Sequence, residues 1–215
     1  MDKFEKVYRI LDLKPMRIQF VVPSEVFESD MPNLDMRDQL RSRCTFETYY
    51  ALGQFYKPKS IFEIGTRLGY SLISMVTGSG QVEKLLSWDL QGWFCPGNSI
   101  EIAKKSLIEL CGYKGEAVFI IQDSQKQTTV DGFFDIAHVD ADHRYECCMH
   151  DMEVCLGHCK ILIIDDYKSH SSKNKEHNVD FVKPAVDDFV KKYIDLIDDH
   201  FYLDSYEGTY VIEFK

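Results

Sequence analysis

Five short apolar runs, 60–63, 85–89, 118–123, 136–140 and 161–166, each finish on acid: Glu63, Asp89, Asp123, Asp140 and the pair Asp165-Asp166. Runs so short and so apolar suit strands buried on both faces of a parallel sheet. Segments with helical patterning separate them, near 69–77, 99–111, 144–156 and 180–198. That alternation predicts βαβ units. Parallel strands all end on one edge, and in open α/β sheets the ligand lies beyond that edge. The acids are therefore expected to converge on a single crevice, one that repels polyphosphate and welcomes a cation or a ligand rich in hydroxyl and amine donors.

Towards the end of the chain the rhythm changes. Two β-rich runs, 201–206 and 209–214, flank Glu207-Gly208, which reads as a hairpin. The expected fold is α/β: a doubly wound, mostly parallel seven-stranded sheet that ends in an antiparallel hairpin, with helices on both faces. Upstream of the first strand, a helix is expected over 45–56, with Thr45 as its cap, apolar surface from Phe46, Tyr49, Tyr50 and Phe55, and Pro58 blocking its continuation. Residues 1–43 lack a clean period and hold Pro15, Pro23 and Pro32. They are expected to be an extension with one short helix near 2–11, acting as a cap over the crevice or as a packing arm, ahead of a main domain at 44–215. The polar stretch 167–179 is expected to be a mobile loop, well placed as a lid.

Composition narrows the partners. A net charge of −10 argues against non-specific nucleic-acid binding, which needs a basic face. No apolar stretch approaches the roughly 20 residues of a membrane span, and the first residues lack the layout of a signal peptide. The seven cysteines are odd in number and form no Cys-x-x-Cys, which fits reduced thiols in the cytoplasm better than a disulfide framework. Cys155, Cys159 and His158 are close enough for a zinc site, although a free cysteine is commonly a small core residue.

The joint Glu63-Ile64-Gly65-Thr66-Arg67-Leu68-Gly69-Tyr70-Ser71 is a strand–turn–helix. Gly65 permits a tight turn and close ligand approach, and Gly69 permits close helix packing. The spacing lacks the extra glycine of a dinucleotide-binding turn, which argues against an NAD(P)-dependent oxidoreductase. Asp89, at the end of the next run, stands where an acid commonly grips two ribose hydroxyls.

With these residues the chain, over about 44–215, resembles the class I S-adenosylmethionine-dependent methyltransferases, which implies a Rossmann-like sheet. The block Phe134-Asp135-Ile136-Ala137-His138-Val139-Asp140-Ala141-Asp142-His143-Arg144-Tyr145, with Asp151, is similar to that of small metal-dependent O-methyltransferases, a group that includes macrolide-sugar and catechol-type enzymes. So is the run from Ile161 to Asp165-Asp166-Tyr167. Ala141 departs from the group's usual glycine, and Gly157-His158-Cys159-Lys160 from its Gly-Gly turn.

The resemblance implies S-adenosylmethionine as cofactor. Asp89 would accept from the ribose hydroxyls, and Asp123 with Ser124 would face the adenine edge. Gly65, Tyr70 and Ser71 would line the methionine end, with Glu63 organising the turn or meeting the ammonium through water, and Asp140 at the same edge. Asp140, Asp165 and Asp166 would hold Mg²⁺ or another hard divalent cation, because three clustered carboxylates repel one another unless a cation sits between them. His143 would act as the general base. The expected reaction is methyl transfer to a hydroxyl of a small molecule, a sugar or a diol. The alternatives are a hydroxylase-like natural-product tailoring enzyme and a non-catalytic cofactor-binding module. A homo-oligomer is compatible with all three.

Overall fold

The computed structural model describes residues 3–13, 36–91, 99–168, 182–205 and 208–215. The expected lid, with His170 and His177, falls largely outside them, as do Trp93, Phe94 and the Glu207 corner of the hairpin.

Among the described residues seven strands form one sheet. They are β1 (Ser60–Ile64), β2 (Lys84–Asp89), β3 (Glu116–Ile121), β4 (Phe134–Val139), β5 (Cys159–Ile164), β6 (Ile197–Leu203) and β7 (Thr209–Phe214). Their order is β3-β2-β1-β4-β5-β7-β6. The first five are parallel, while β7 runs antiparallel between β5 and β6. Among the described residues six α-helices accompany them: α1 (Lys3–Asp12), α2 (Met36–Tyr56), α3 (Tyr70–Ser79), α4 (Ser99–Cys111), α5 (Tyr145–Cys155) and α6 (Val182–Tyr193). The doubly wound arrangement expected from the alternation is present.

Each strand presents alternate residues to opposite faces. Ile61, Leu85, Ile136 and Ile163 pack with Ile10 of α1, Leu52 of α2, Leu72 of α3 and Leu107 of α4. Phe62, Trp88, Phe134, Val139 and Ile164 pack on the other side with Cys148 and Met152 of α5 and Val186 and Phe189 of α6. Each large side chain withdrawn from water in this way contributes roughly 1.5–3 kcal/mol. Helices α2 and α3 approach until backbone meets backbone. A Cβ on Gly53 would stand 2.3 Å from the Met75 carbonyl oxygen, and one on Gly78 would stand 2.1 Å from that of Tyr50. This close seating lets Tyr49 of α2 reach the sheet.

Four expectations need correction. The helix expected from Thr45 begins at Met36, so a boundary at 43/44 would cut through α2. The last strand pair begins earlier: α6 ends at Tyr193 and β6 starts at Ile197. Strand β3 is a sheet edge, and Val118, Ile120 and Ile121 are 38%, 38% and 63% exposed, so it is not buried on both faces. The physical reason lies in its connection to β4, which holds only the 3₁₀ turn Ser124–Lys126 and leaves that face without a covering helix. Finally, Glu63 lies inside β1 and is fully buried, so it does not belong to the crevice rim.

Helix α1 is a packing arm. Lys6 pairs with Asp199 at 2.7 Å and Glu213 at 2.8 Å. Glu213 stands opposite Ile161 near the start of β5, at the end of the sheet away from the acids.

Candidate active site at the carboxyl edge of the sheet

The carboxyl ends of the central strands are held level by bonds that extend the ladders past the strands. The Gly65 amide donates to the Trp88 carbonyl at 2.8 Å, the Asp140 amide to Ile64 at 2.9 Å, and the Asp165 amide to Val139 at 3.1 Å. Gly65 adopts φ 96°, and a Cβ there would lie 1.9 Å from the Asp140 carbonyl oxygen. Only glycine lets the turn pass so close to the β4 end. The turn and Asp140 therefore share one edge.

Asp89 closes the other side of the turn. Its carboxylate accepts the Arg67 amide at 2.8 Å and the Gln91 amide at 2.6 Å. It stands half-buried at the rim, with lone pairs remaining for further donors. Asp123 accepts the Gln125 amide at 3.1 Å and so caps the 3₁₀ turn. Ser124 is buried beneath it, where its carbonyl takes His150 Nε2 at 3.2 Å. Tyr70 and Ser71 open α3 directly after the turn.

The acids past β4 and β5 divide into two sets. Asp140, His143 and Asp166 form one group, whose potential ligand atoms all lie within 4.8 Å of one another. Nε2 of His143 lies 3.0 Å from Asp166 Oδ2 and 3.7 Å from Asp140 Oδ1. The carboxylates of Asp140 and Asp166 raise the His143 pKa to about 11, outweighing partial burial, so the ring is an imidazolium clamped between two anions. Two carboxylates and an imidazole suit a divalent ion such as Mg²⁺ or Mn²⁺. Asp166 has φ 56°, a left-handed conformation that costs a non-glycine residue on the order of 1–2 kcal/mol.

Asp165 is not brought into that group. Asp165 follows directly after β5 and turns inward, 7% exposed, to the Tyr49 hydroxyl. There it meets a buried polar row on the α2–α3 side of the sheet. Ser71 Oγ donates to Glu63 Oε1 at 2.5 Å. Glu63 Oε1 lies 3.0 Å from His138 Nδ1, and His138 Nε2 lies 3.0 Å from the Tyr49 hydroxyl. Ser87 Oγ adds a bond to Glu63 Oε2 at 3.4 Å and also meets Thr66 Oγ1. Burial raises the Glu63 pKa against the pull of His138 and Ser71.

The sequence treated Tyr49 as apolar helix surface and missed this row. The legible signal was Glu63, Ser87 and His138, three polar residues inside apolar strands. They share a register in which Glu63 stands opposite both others. Asp151, quoted only as part of the motif, proves to be buried: Gln125 Nε2 donates to its Oδ1 at 2.8 Å, its Oδ2 has no partner among the described residues, and burial raises its pKa to about 7. The Cys155–Cys159 zinc arrangement does not form among the described residues. Both thiols are in the core, and the His158 ring turns to Thr129 at 2.8 Å and the Gly132 carbonyl at 2.9 Å.

Residues 62–167 match a family model described as a methyltransferase domain. These residues carry a methyltransferase domain. Solved structures agree in fold. The methyltransferase PaMTH1 of Podospora anserina, with S-adenosylhomocysteine bound, is 20% identical over 89% of this chain and 87% of its own, with a TM-score of 0.62. An O-methyltransferase from Bacillus cereus, also with S-adenosylhomocysteine, is 17% identical over 100% and 93%, at 0.60. TomG of Streptomyces achromogenes, an O-methyltransferase of tomaymycin synthesis in complex with S-adenosylmethionine, is 16% identical over the whole of both chains, at 0.63. Among curated proteins none matches this methyltransferase sequence significantly. No described helix is long and apolar enough to cross a membrane.

Proposed function

We propose that this methyltransferase moves the methyl group of S-adenosylmethionine to a hydroxyl oxygen of a small molecule, a sugar or a diol, with a divalent cation, Mg²⁺ by preference, at the acidic rim. One observation supports this most: the glycine turn lies directly against the Asp140 backbone, so a cofactor on the turn and a ligand of the Asp140–His143–Asp166 group would be neighbours. Asp89, Gly65, Tyr70 and Ser71 would hold the ribose and methionine parts of the cofactor, while Asp123 and Ser124 would border the adenine.

A bound cation supplies polarisation of the acceptor hydroxyl. Asp140 and Asp166 would hold it. His143 is the rim group able to take the hydroxyl proton: it is clamped as an imidazolium by the two carboxylates, and it regains its basic form once they share their charge with a cation. Alignment of oxygen, methyl and sulfur would account for much of the acceleration. A second reading makes His143 the third ligand, which the 4.8 Å grouping favours. The free thiols among the described residues, Cys111, Cys147, Cys148, Cys155 and Cys159, fit a cytoplasmic protein.

The test is transfer of labelled methyl to a panel of sugars, catechols and diols, with and without Mg²⁺ or Mn²⁺. Cation-dependent labelling is expected. Cofactor binding with no transfer to any acceptor would favour a binding module instead. His143→Gln separates the two roles of the ring: a base leaves cation affinity intact and removes turnover, whereas a ligand loses both.

A further inference from the structure

We propose that Tyr49 is a positioning residue for the rim: its hydroxyl, fixed by His138 and Glu63, holds Asp165 in the interior and thereby sets Asp166 beside Asp140 and His143. The inference rests on the reading of that rim as a cation site.

Hydrogen-bond direction carries the first part. A phenol has one proton to give. Asp165 is an acceptor at this site, so the Tyr49 hydroxyl donates to it and accepts from His138 Nε2–H, 3.0 Å away. The donors thus run one way, from His138 to Tyr49 to Asp165. At the other side of the ring, Nδ1 and Glu63 Oε1, 3.0 Å apart, share a single proton, and Ser71 Oγ donates to the same carboxyl oxygen. Glu63 and His138 are wholly buried, and Tyr49 is 1% exposed. No water is needed to complete this chain, and no member can turn away without leaving another unpaired in the interior.

Backbone geometry carries the second part. Asp165 and Asp166 follow directly after β5, and with Asp165 turned inward Asp166 stands beside His143. Asp166 does this in a left-handed conformation that side chains rarely adopt. Such a residue stays in place only where its surroundings over-determine it. The Asp165 amide bonded to Val139 and the Asp165 carboxylate bonded to Tyr49 are two such restraints on the preceding residue. The row also ends on Ser71, in the first turn of the helix that follows the glycine turn, so one set of hydrogen bonds braces both halves of the site.

The experiment compares Tyr49→Phe, Asp165→Asn, Asp165→Ala and Asp166→Asn in the full chain, reading Mn²⁺ affinity by electron paramagnetic resonance titration and S-adenosylmethionine affinity by calorimetry. Tyr49→Phe should weaken Mn²⁺ about tenfold or more, as loss of a residue supporting a ligand does, with cofactor affinity within about threefold. Asp165→Asn keeps an acceptor for Tyr49 and should lose far less than Asp165→Ala, while Asp166→Asn should lose most. Wild-type Mn²⁺ affinity in Tyr49→Phe, or Asp165→Asn as damaging as Asp166→Asn, overturns the proposal. If Tyr49→Phe fails to fold, the Asp165→Asn and Asp165→Ala pair decides alone. If the wild type binds neither Mn²⁺ nor Mg²⁺, the cation reading fails. Crystal structures of wild type and the Tyr49→Phe or Asp165→Ala variants then decide the positioning claim: displacement of Asp166 from His143 supports it, and an unmoved Asp166 overturns it.

Discussion

Two groups in this protein have the same ingredients, two acids and a histidine, and opposite surroundings. Asp140, His143 and Asp166 stand half-buried past the ends of β4 and β5, in contact with one another. Glu63, His138 and Asp165 lie beneath them, each matched by a hydroxyl from Ser71, Ser87 or Tyr49. The difference lies in burial: Glu63 and His138 stand within β1 and β4 with Asp165 turned in beside them, while the rim group stands past the strand ends. Inside the sheet, an unmatched polar atom would cost on the order of 1–3 kcal/mol, which favours the hydroxyl partners that the row supplies. At the rim, the proposed cation would join the group. The comparison teaches that residue type nominates a site, while burial decides between frame and chemistry.

The contrast can be broken most forcefully from the rim. Asp166→Asn should lower methyl transfer at least about 100-fold while shifting the melting temperature by no more than about 2 °C, as turnover assays and calorimetric melting would reveal. A large loss of stability with intact turnover would exchange the roles of the two groups. His138→Ala should do the reverse in kind. It strands Glu63 and Tyr49 in the interior and should cost roughly 3–5 kcal/mol, the usual result of breaking a buried pair from one side. Scanning calorimetry or denaturant titration measures that loss, and a melting curve like that of the wild type would show the row to be dispensable.

Gly65→Ala sharpens the link between turn and rim. Its Cβ would need the space held by the Asp140 carbonyl, so cofactor affinity should fall at least about tenfold, visible in a calorimetric titration. Undiminished affinity would separate the turn from cofactor binding.

The smallest expected effect concerns Asp151, a buried acid in neither group. Its pKa, about 7 in the folded protein, lies above the ordinary value near 4 of an unfolded chain. Between those values the folded state holds the proton that the unfolded state releases. Its contribution to stability therefore declines as pH rises from about 4 to 7 and levels off above that. Asp151→Asn should lack this decline, so the wild-type minus variant difference in unfolding free energy should fall across that window. Parallel curves would contradict the assignment.

Much of this architecture was legible. The apolar runs and their spacing named β1, β2, β4 and β5, and Glu207-Gly208 marked the corner between β6 and β7. The match at Asp140 and His143 pointed to the rim. What escaped notice depended on three-dimensional neighbours. Asp165 and Asp166 part where β5 ends, and a run that ends Ile163-Ile164-Asp165-Asp166 does not say which acid faces in. Tyr49 is one of several aromatics on an apolar helix face, and its hydroxyl gains a role only because Gly53 and Gly78 let α2 settle close. Exposure of β3 follows from the absence of a covering helix after it, which the apolar pattern of Val118, Ile120 and Ile121 conceals.

The most direct trial of the central idea is a calorimetric titration of the intact chain with S-adenosylmethionine, alone and in the presence of Mn²⁺, repeated on Asp166→Asn. The account predicts one cofactor per chain in both proteins, and a cation bound by the wild type but lost from the variant. Absence of cofactor binding to the wild type, or equal cation binding by both, would contradict it.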